Sequence, residues 1–296
     1  MTRSDWTLLI VLSILWGGSF LFVEVALQGL PALTIVLGRV GIAALILGAI
    51  MALRGLSLPR RAWGAVLMMG FLNNAIPFTL FVLAQGRIDG GLAAIVNATT
   101  PLWTVIVAHA FTTDERITPP KAAGLVFGFA GVVVMAGGAG GGERLAILGC
   151  LGAAFSYGLA GVWGRRFRRM GVPPMATAFG TVASSSLMLL PLVLLIDKPW
   201  ALPWPGQGPL LAVLALAALS TALAYLIYFR LLASAGATNL SLVTFLIPVS
   251  AVAMGVTFLN ETVRPGHLAG FALIVVGLLA MDGRIARWAR SMRAAR

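Results

Sequence analysis

Long apolar runs, each closed by a short stretch holding glycine, proline or charge, occupy most of the chain. They predict helices at about 6–26, 31–53, 62–83, 90–111, 121–138, 145–164, 175–196, 208–230, 238–258 and 267–283. Each run approaches the roughly 20 residues that a helix needs to cross the hydrocarbon core of a bilayer. Pro31, Pro119, Pro120, Pro173, Pro174 and Pro265 fall in connectors or first turns, where a missing N–H is tolerated. Pro101 and Pro248 fall inside the fourth and ninth runs, where each frees a backbone carbonyl as an acceptor or a hinge. The first run follows Arg3 much as a signal peptide would. It is too long for one, however, and no small-x-small cleavage site precedes Gln28, so it is kept as a helix.

Composition agrees with lipid as the solvent. Of 296 residues, 59% are hydrophobic and 10% charged, against about a quarter charged in a soluble domain. Mean hydropathy is +0.98. The net charge of +12 does not form a basic face for nucleic acid; the cations sit in connectors and in the tail. With the N-terminus cytoplasmic, 16 Lys and Arg fall inside and 4 outside (Arg87, Arg144, Lys198 and Arg264), with Arg39 within a helix. That asymmetry predicts both termini inside. The lone cysteine, Cys150, excludes an intrachain disulfide and reads as a packing residue. Gly137 to Gly142 lack the Gly-Lys-Ser/Thr ending of a phosphate loop and read as a flexible joint.

Laid over one another, the two halves of the chain repeat. Pro101 falls on Pro248, Asn97 on Thr244 and Val105 on Val252, and Thr113-Asp114-Glu115 falls on Leu259-Asn260-Glu261. Gly124 and Gly131 match Gly270 and Gly277; Asn73 and Asn74 match Ser220 and Thr221; Phe78 matches Tyr225; Trp16-Gly17 matches Tyr157-Gly158, with Glu24 opposite Arg165. Five spans is an odd number, so the second copy must enter from the opposite face. The expected fold is therefore all-α and integral to the membrane: ten transmembrane helices in two inverted five-helix repeats around a central cavity. The first repeat covers 1–140 and the second, with its basic cytoplasmic tail, 141–296.

Inverted repeats place a substrate site near the bilayer midplane. At about 1.5 Å of rise per residue, the polar positions of helices 1, 3, 4, 6, 8 and 9 fall at one depth. Candidate substrate-binding residues are Trp16, Ser19, Asn73, Asn74, Phe78, Asn97, Thr100, Trp103, Tyr157, Trp163, Thr221, Tyr225 and Thr244, with Pro101 and Pro248 as hinges. Each has a competing explanation. Ser and Thr in membrane helices bond back to their own backbone, and small residues allow close packing. Ser184 to Ser186 are assigned to packing in this way, whereas an Asn amide must find partners away from lipid. Trp6, Trp200, Trp204 and Trp288 read as interface anchors. Arg39, about two turns into helix 2, is expected to snorkel outward and pair with Glu24. No carboxylate lies at mid-membrane, which disfavours a buried proton relay.

Two separated histidines, one cysteine and no intramembrane acid pair supply neither a catalytic set nor a metal site, so neither enzyme, metal nor cofactor is expected. A channel lacks a filter motif here, and a transporter is the better match. Trp16-Gly17, Arg39, the segment Ala94 to Pro101, Glu115 and Gly124, then Pro248, Glu261, Gly270 and Gly277 carry a resemblance. The chain resembles the EamA branch of the drug/metabolite transporter superfamily, and within it the YddG-type exporters of aromatic and other amino acids. The resemblance implies an inner-membrane exporter of neutral amino acids and related metabolites, working by alternating access as a monomer without nucleic-acid partners. Proton-coupled drug or metabolite efflux and a channel-like pore stay open as alternatives. A sugar-phosphate carrier should show Lys or Arg at the midplane, and none is read there.

Overall fold

Inside lipid an amide has no water to turn to, so an apolar segment must satisfy its own backbone, and a helix does so. A computed structural model of the chain describes residues 1–113 and 115–282, apart from the side chains of Ala237 and Thr238. The Asp114 match, the tail arginines Arg284 to Arg296 and the Trp288 anchor lie outside the described residues. Among the described residues every regular element is helical. Eight segments are long and apolar enough to cross a membrane: α1 Arg3–Leu27, α2 Ala32–Leu53, α3 Arg60–Gln85, α4 Gly90–Phe111, α5 Pro119–Ala136, α6 Gly141–Arg169, α7 Pro174–Asp197 and α8 Gln207–Gly236. Two shorter apolar helices follow, α9 Val243–Leu259 and α10 Pro265–Met281. Leu45, Leu53 and Val133 are 75%, 89% and 70% exposed, an outward apolar surface suited to acyl chains and not to water. The protein is a multi-pass membrane protein.

Some boundaries depart from the sequence pattern for identifiable reasons. α6 starts at Gly141 because the Glu143 carboxylate accepts from the Gly140 N–H at 3.2 Å and caps it, so part of the glycine run is helix, not joint. Gly236, at φ +77°, interrupts the helical path at the end of α8, and α9 begins only at Val243. A turn at Ala98 and Thr99 splits α4, which places Pro101 in the first turn of its second part rather than mid-helix. The Asn97 carbonyl, four residues before that proline, accepts from the Thr100 hydroxyl at 2.8 Å. Pro248 does lie inside its helix.

Three π-helical turns occur among the described residues: Phe71–Ala75 and Ala218–Leu223 interrupt α3 and α8 mid-helix, and Val193–Asp197 ends α7. Packing then follows small residues. α5 lies against α10, where a Cβ on Gly277 would stand 2.5 Å from the Gly124 carbonyl oxygen and one on Gly131 2.5 Å from that of Gly270. Only glycine permits that approach. α1 packs on α9 and on α8; α6 packs on α4 and on α3; α2 packs on α7. Gly17 abuts Ser250 and Ala251, and Gly158 abuts Trp103 and Thr104. Ser184 and Ser185, fully buried, bond to backbone carbonyls, as packing residues do.

Candidate functional site

A π turn widens the helix and leaves a carbonyl without its regular partner. In α8 the Thr221 hydroxyl fills that role, donating to the Leu216 carbonyl at 2.8 Å. The same oxygen accepts from Arg39 Nε at 3.0 Å. The Arg39 guanidinium also lies over the Phe78 ring, with Cζ 3.7 Å from the centroid. Phe78 sits one turn beyond the π turn of α3, which presents Asn73 and Asn74. Asn73 Nδ2 donates to Asn74 Oδ1 at 3.0 Å and to the Tyr225 hydroxyl at 3.2 Å, joining α3 to α8. Five predicted site residues (Asn73, Asn74, Phe78, Thr221 and Tyr225) thus converge on a cation contributed by α2.

Arg39 departs from its sequence-based assignment. It is 9% exposed, and among the described residues it makes no ion pair with Glu24 or any other carboxylate. The Glu24 carboxylate instead accepts from Gln85 Nε2 at 3.3 Å, and Gln85 also donates to the Phe20 carbonyl at 2.8 Å. The physical reason is the direction of the side chain. Arg39 lies within about one turn of the middle of α2, and α2 packs on the π turn of α8, so its stem points into the protein rather than outward. A midplane cation is therefore present, contrary to the sequence expectation. An uncompensated buried charge costs on the order of several kcal/mol, so this arrangement has a strong need for an anion.

Two neighbours share that need for partners. Asn74 and Ser220 are 0% and 1% exposed, and neither Asn74 Nδ2 nor Ser220 Oγ has a hydrogen-bond partner among the described residues. Tyr157 and Tyr225 lie within electrostatic reach of the guanidinium. Tyr157 also stacks on Phe81, with centroids 6.2 Å apart. Trp16 joins through an aromatic chain: it lies 5.7 Å from Tyr228, which is 5.2 Å from Phe229, itself 6.3 Å from Tyr225.

The remaining candidates are placed elsewhere. Ser19 donates to the Trp16 carbonyl at 2.6 Å, and Thr100 to Asn97, both local bonds. Trp103 packs edge-on between Phe129 and Phe155. Trp163 donates to the Ala65 carbonyl at 3.0 Å and stacks under Arg166, away from the Arg39 cluster. Thr244 lies in the first turn of α9. Arg39 is absent from the residues that the sequence nominates for the site, although a lone cation in an otherwise uncharged helix is a signal for one. A surface hollow of about 570 Å³, lined by Arg87, Gly138, Gly140, Gly142, Glu143 and Arg264, lies apart from this cluster, and there Glu143 pairs with Arg264 at 3.3 Å.

A family model for EamA-like transporters matches the chain twice, over residues 6–137 and again over 144–281. The chain belongs to the EamA-like transporter family. This EamA-like protein is similar to a "probable amino-acid metabolite efflux pump" of Salmonella typhimurium, 26% identical across 94% of each chain. It is also similar to an uncharacterized inner membrane transporter, YedA, of Escherichia coli, 27% identical over 92% of this chain and 88% of that one. A third relative is an uncharacterized transporter, YvbV, of Bacillus subtilis, 27% identical over 93% and 90%. A solved crystal structure superposes with a TM-score of 0.68 over 97% of this chain and 98% of its own, at 22% identity, a likeness of fold. The family is one of membrane transporters.

Proposed function

We propose that this transporter exports neutral amino acids, aromatic ones among them, and related small metabolites. Its substrate would pass a midplane cavity by alternating access, without a buried proton-relay acid. The observation that carries the reading is the convergence of Arg39, Asn73, Asn74, Phe78, Thr221 and Tyr225 at the mid-helix π turns of α3 and α8. Hydrogen-bonding groups and aromatic faces are gathered there, as in pockets that hold small polar solutes. The relatives named as amino-acid metabolite efflux pumps support the substrate class.

The architecture we attach to this reading is ten transmembrane helices in two inverted repeats, 1–140 and 141–296, in the inner membrane with both termini cytoplasmic. One family model matching both halves supports it. So does the packing, because replacing each helix by the one five places along exchanges the observed pairs. α1 on α9 becomes α6 on α4, α1 on α8 becomes α6 on α3, and α5 with α10 returns to itself. The mid-helix π turns of α3 and α8 and the contacts of Gly17 and Gly158 exchange in the same way. In this scheme Pro101, Pro248 and the glycine contacts are the hinges about which the halves rock, and the chain works as a monomer.

Proton-coupled efflux is the second reading, favoured by the half-buried carboxylates Glu24 and Glu261 that flank Gln85. Counterflow of radiolabelled amino acids in proteoliposomes, with and without a pH gradient, separates the two. Exchange without a gradient is expected. Transport of cationic drugs alone would overturn the amino-acid reading, and an absolute need for the gradient would select the proton-coupled one.

A further inference from the structure

The guanidinium of Arg39 presents five N–H donors in a planar fork, and its Nη edge matches the two oxygens of a carboxylate. One donor, Nε, is taken by Thr221. Phe78 covers a face of the group, which fixes the plane of the fork and leaves its edge available. Among the described residues neither Nη makes a hydrogen bond or an ion pair to the protein. The three helices that build the cluster, α2, α3 and α8, contain no Asp or Glu, so the counter-charge is not built into its own walls. Asn74, four residues before Phe78 in α3, and Ser220, next to Thr221 in α8, are buried, and Asn74 Nδ2 and the Ser220 hydroxyl lack partners. Unused hydrogen-bonding capacity therefore lies in the same helical turns as the two residues that hold the cation, Phe78 and Thr221. An anionic group of two or three oxygens satisfies all of it, and a carboxylate fits the fork in pairs.

We propose that Arg39 binds the carboxylate of the transported solute, with Asn74 and Ser220 as supporting hydrogen-bond partners and Thr221 holding the fork. This rests on the export reading above and sharpens it: the preferred substrates are carboxylate-bearing, and amines without an acid group bind more weakly because they leave the fork unmatched. The guanidinium keeps its proton in both states of the cycle, so Arg39 selects the solute and does not couple it to protons.

Calorimetry on the purified full chain in detergent tests this with acid and amide pairs: phenylalanine against phenylalaninamide, and leucine against leucinamide. The wild type should bind each acid at least tenfold more tightly than its amide. In Arg39→Gln that ratio should collapse towards one, and Arg39→Lys, which keeps charge but loses the fork, should fall between. Monodispersity and an amide affinity within a few-fold of wild type identify Arg39→Gln as folded. If that variant is unfolded, the wild-type acid-to-amide ratio and the Arg39→Lys ratio still decide. Equal binding of acid and amide by the wild type, or a ratio that survives in Arg39→Gln, overturns the role of Arg39 and leaves the export reading standing. Binding of no acid and no amide by the wild type defeats both.

Discussion

Thr221 occupies the most demanding position in the site, because one hydroxyl serves two partners: it donates to the Leu216 carbonyl and accepts from Arg39. Thr221→Val preserves the shape and strands both groups, at about 1–3 kcal/mol for a buried polar atom left unmatched. The expected outcome is a lower melting temperature in detergent together with weaker solute binding, while Thr221→Ser retains both. Tyr225 acts more gently. Tyr225→Phe removes the acceptor of the Asn73 amide but keeps the ring, so competition in counterflow should show a several-fold change in preference among aromatic and aliphatic solutes with expression unchanged. Unaltered preference would return Tyr225 to a packing role. Thr221, Tyr225, Asn73, Asn74 and Phe78 could be picked from the sequence because polar or aromatic residues at mid-helix stand out against an apolar background. Arg39 could not be assigned correctly in that way. Its distance from the helix end allows both snorkelling and inward projection, and only the neighbours of α2 decide between them.

Helices α5 and α10 meet through glycines, and there a single methyl group has nowhere to go. Gly277→Ala places its Cβ 2.5 Å from the Gly124 carbonyl oxygen, backbone that cannot rotate aside. Such overpacking costs typically 1–3 kcal/mol, roughly, or more where backbone must shift. The variant should melt several degrees lower, whereas Gly138→Ala, with open space around it, should melt as the wild type does. The start of α4 offers a test by pH. Glu261, in the connector before α10, accepts from the Gly90 and Gly91 N–H groups at 3.0 and 3.1 Å and so caps that helix. Burial nevertheless raises its carboxyl above the ordinary value of 4.5, outweighing those two donors. The folded state then binds the proton more tightly than the unfolded one, and stability from this group falls as pH rises from about 4.5 through the raised value. Glu261→Gln should lower the melting temperature by losing a cap interaction and should flatten that decline. A melting temperature that rises with pH in the wild type and not in Glu261→Gln would reverse the assignment.

Across the whole molecule, the 16-to-4 division of Lys and Arg makes a topological forecast that the buried, free Cys150 makes simple to examine. Because that thiol is shielded, the native chain serves as a near-silent background for introduced cysteines. Ser57→Cys, between α2 and α3, should react with a membrane-impermeant thiol reagent only from the cytoplasmic side, and Gly140→Cys, between α5 and α6, only from the outer side. Both reacting from the same face would rule out the inverted arrangement, since three spans, an odd number, separate the two positions. Labelling of both sites should respond to a transported solute as well, if the halves rock against each other.

Lipid as the solvent, the course of the helices to within a few residues and the pattern shared by the two halves are all legible in the amino-acid sequence. Those properties are written in hydrophobicity, charge asymmetry and the ordered Pro and Gly positions, all of which act locally along the chain. The sequence also marked most of the polar residues that meet at the centre. What remains depends on contacts between helices. The π turn in α3 draws on a distant partner, the Ser156 hydroxyl of α6, which donates to the Leu72 carbonyl at 2.6 Å and which composition does not reveal. The position of Arg39 depends on which face of α2 meets α8, and a helix that is apolar almost all round carries no periodicity to announce that face.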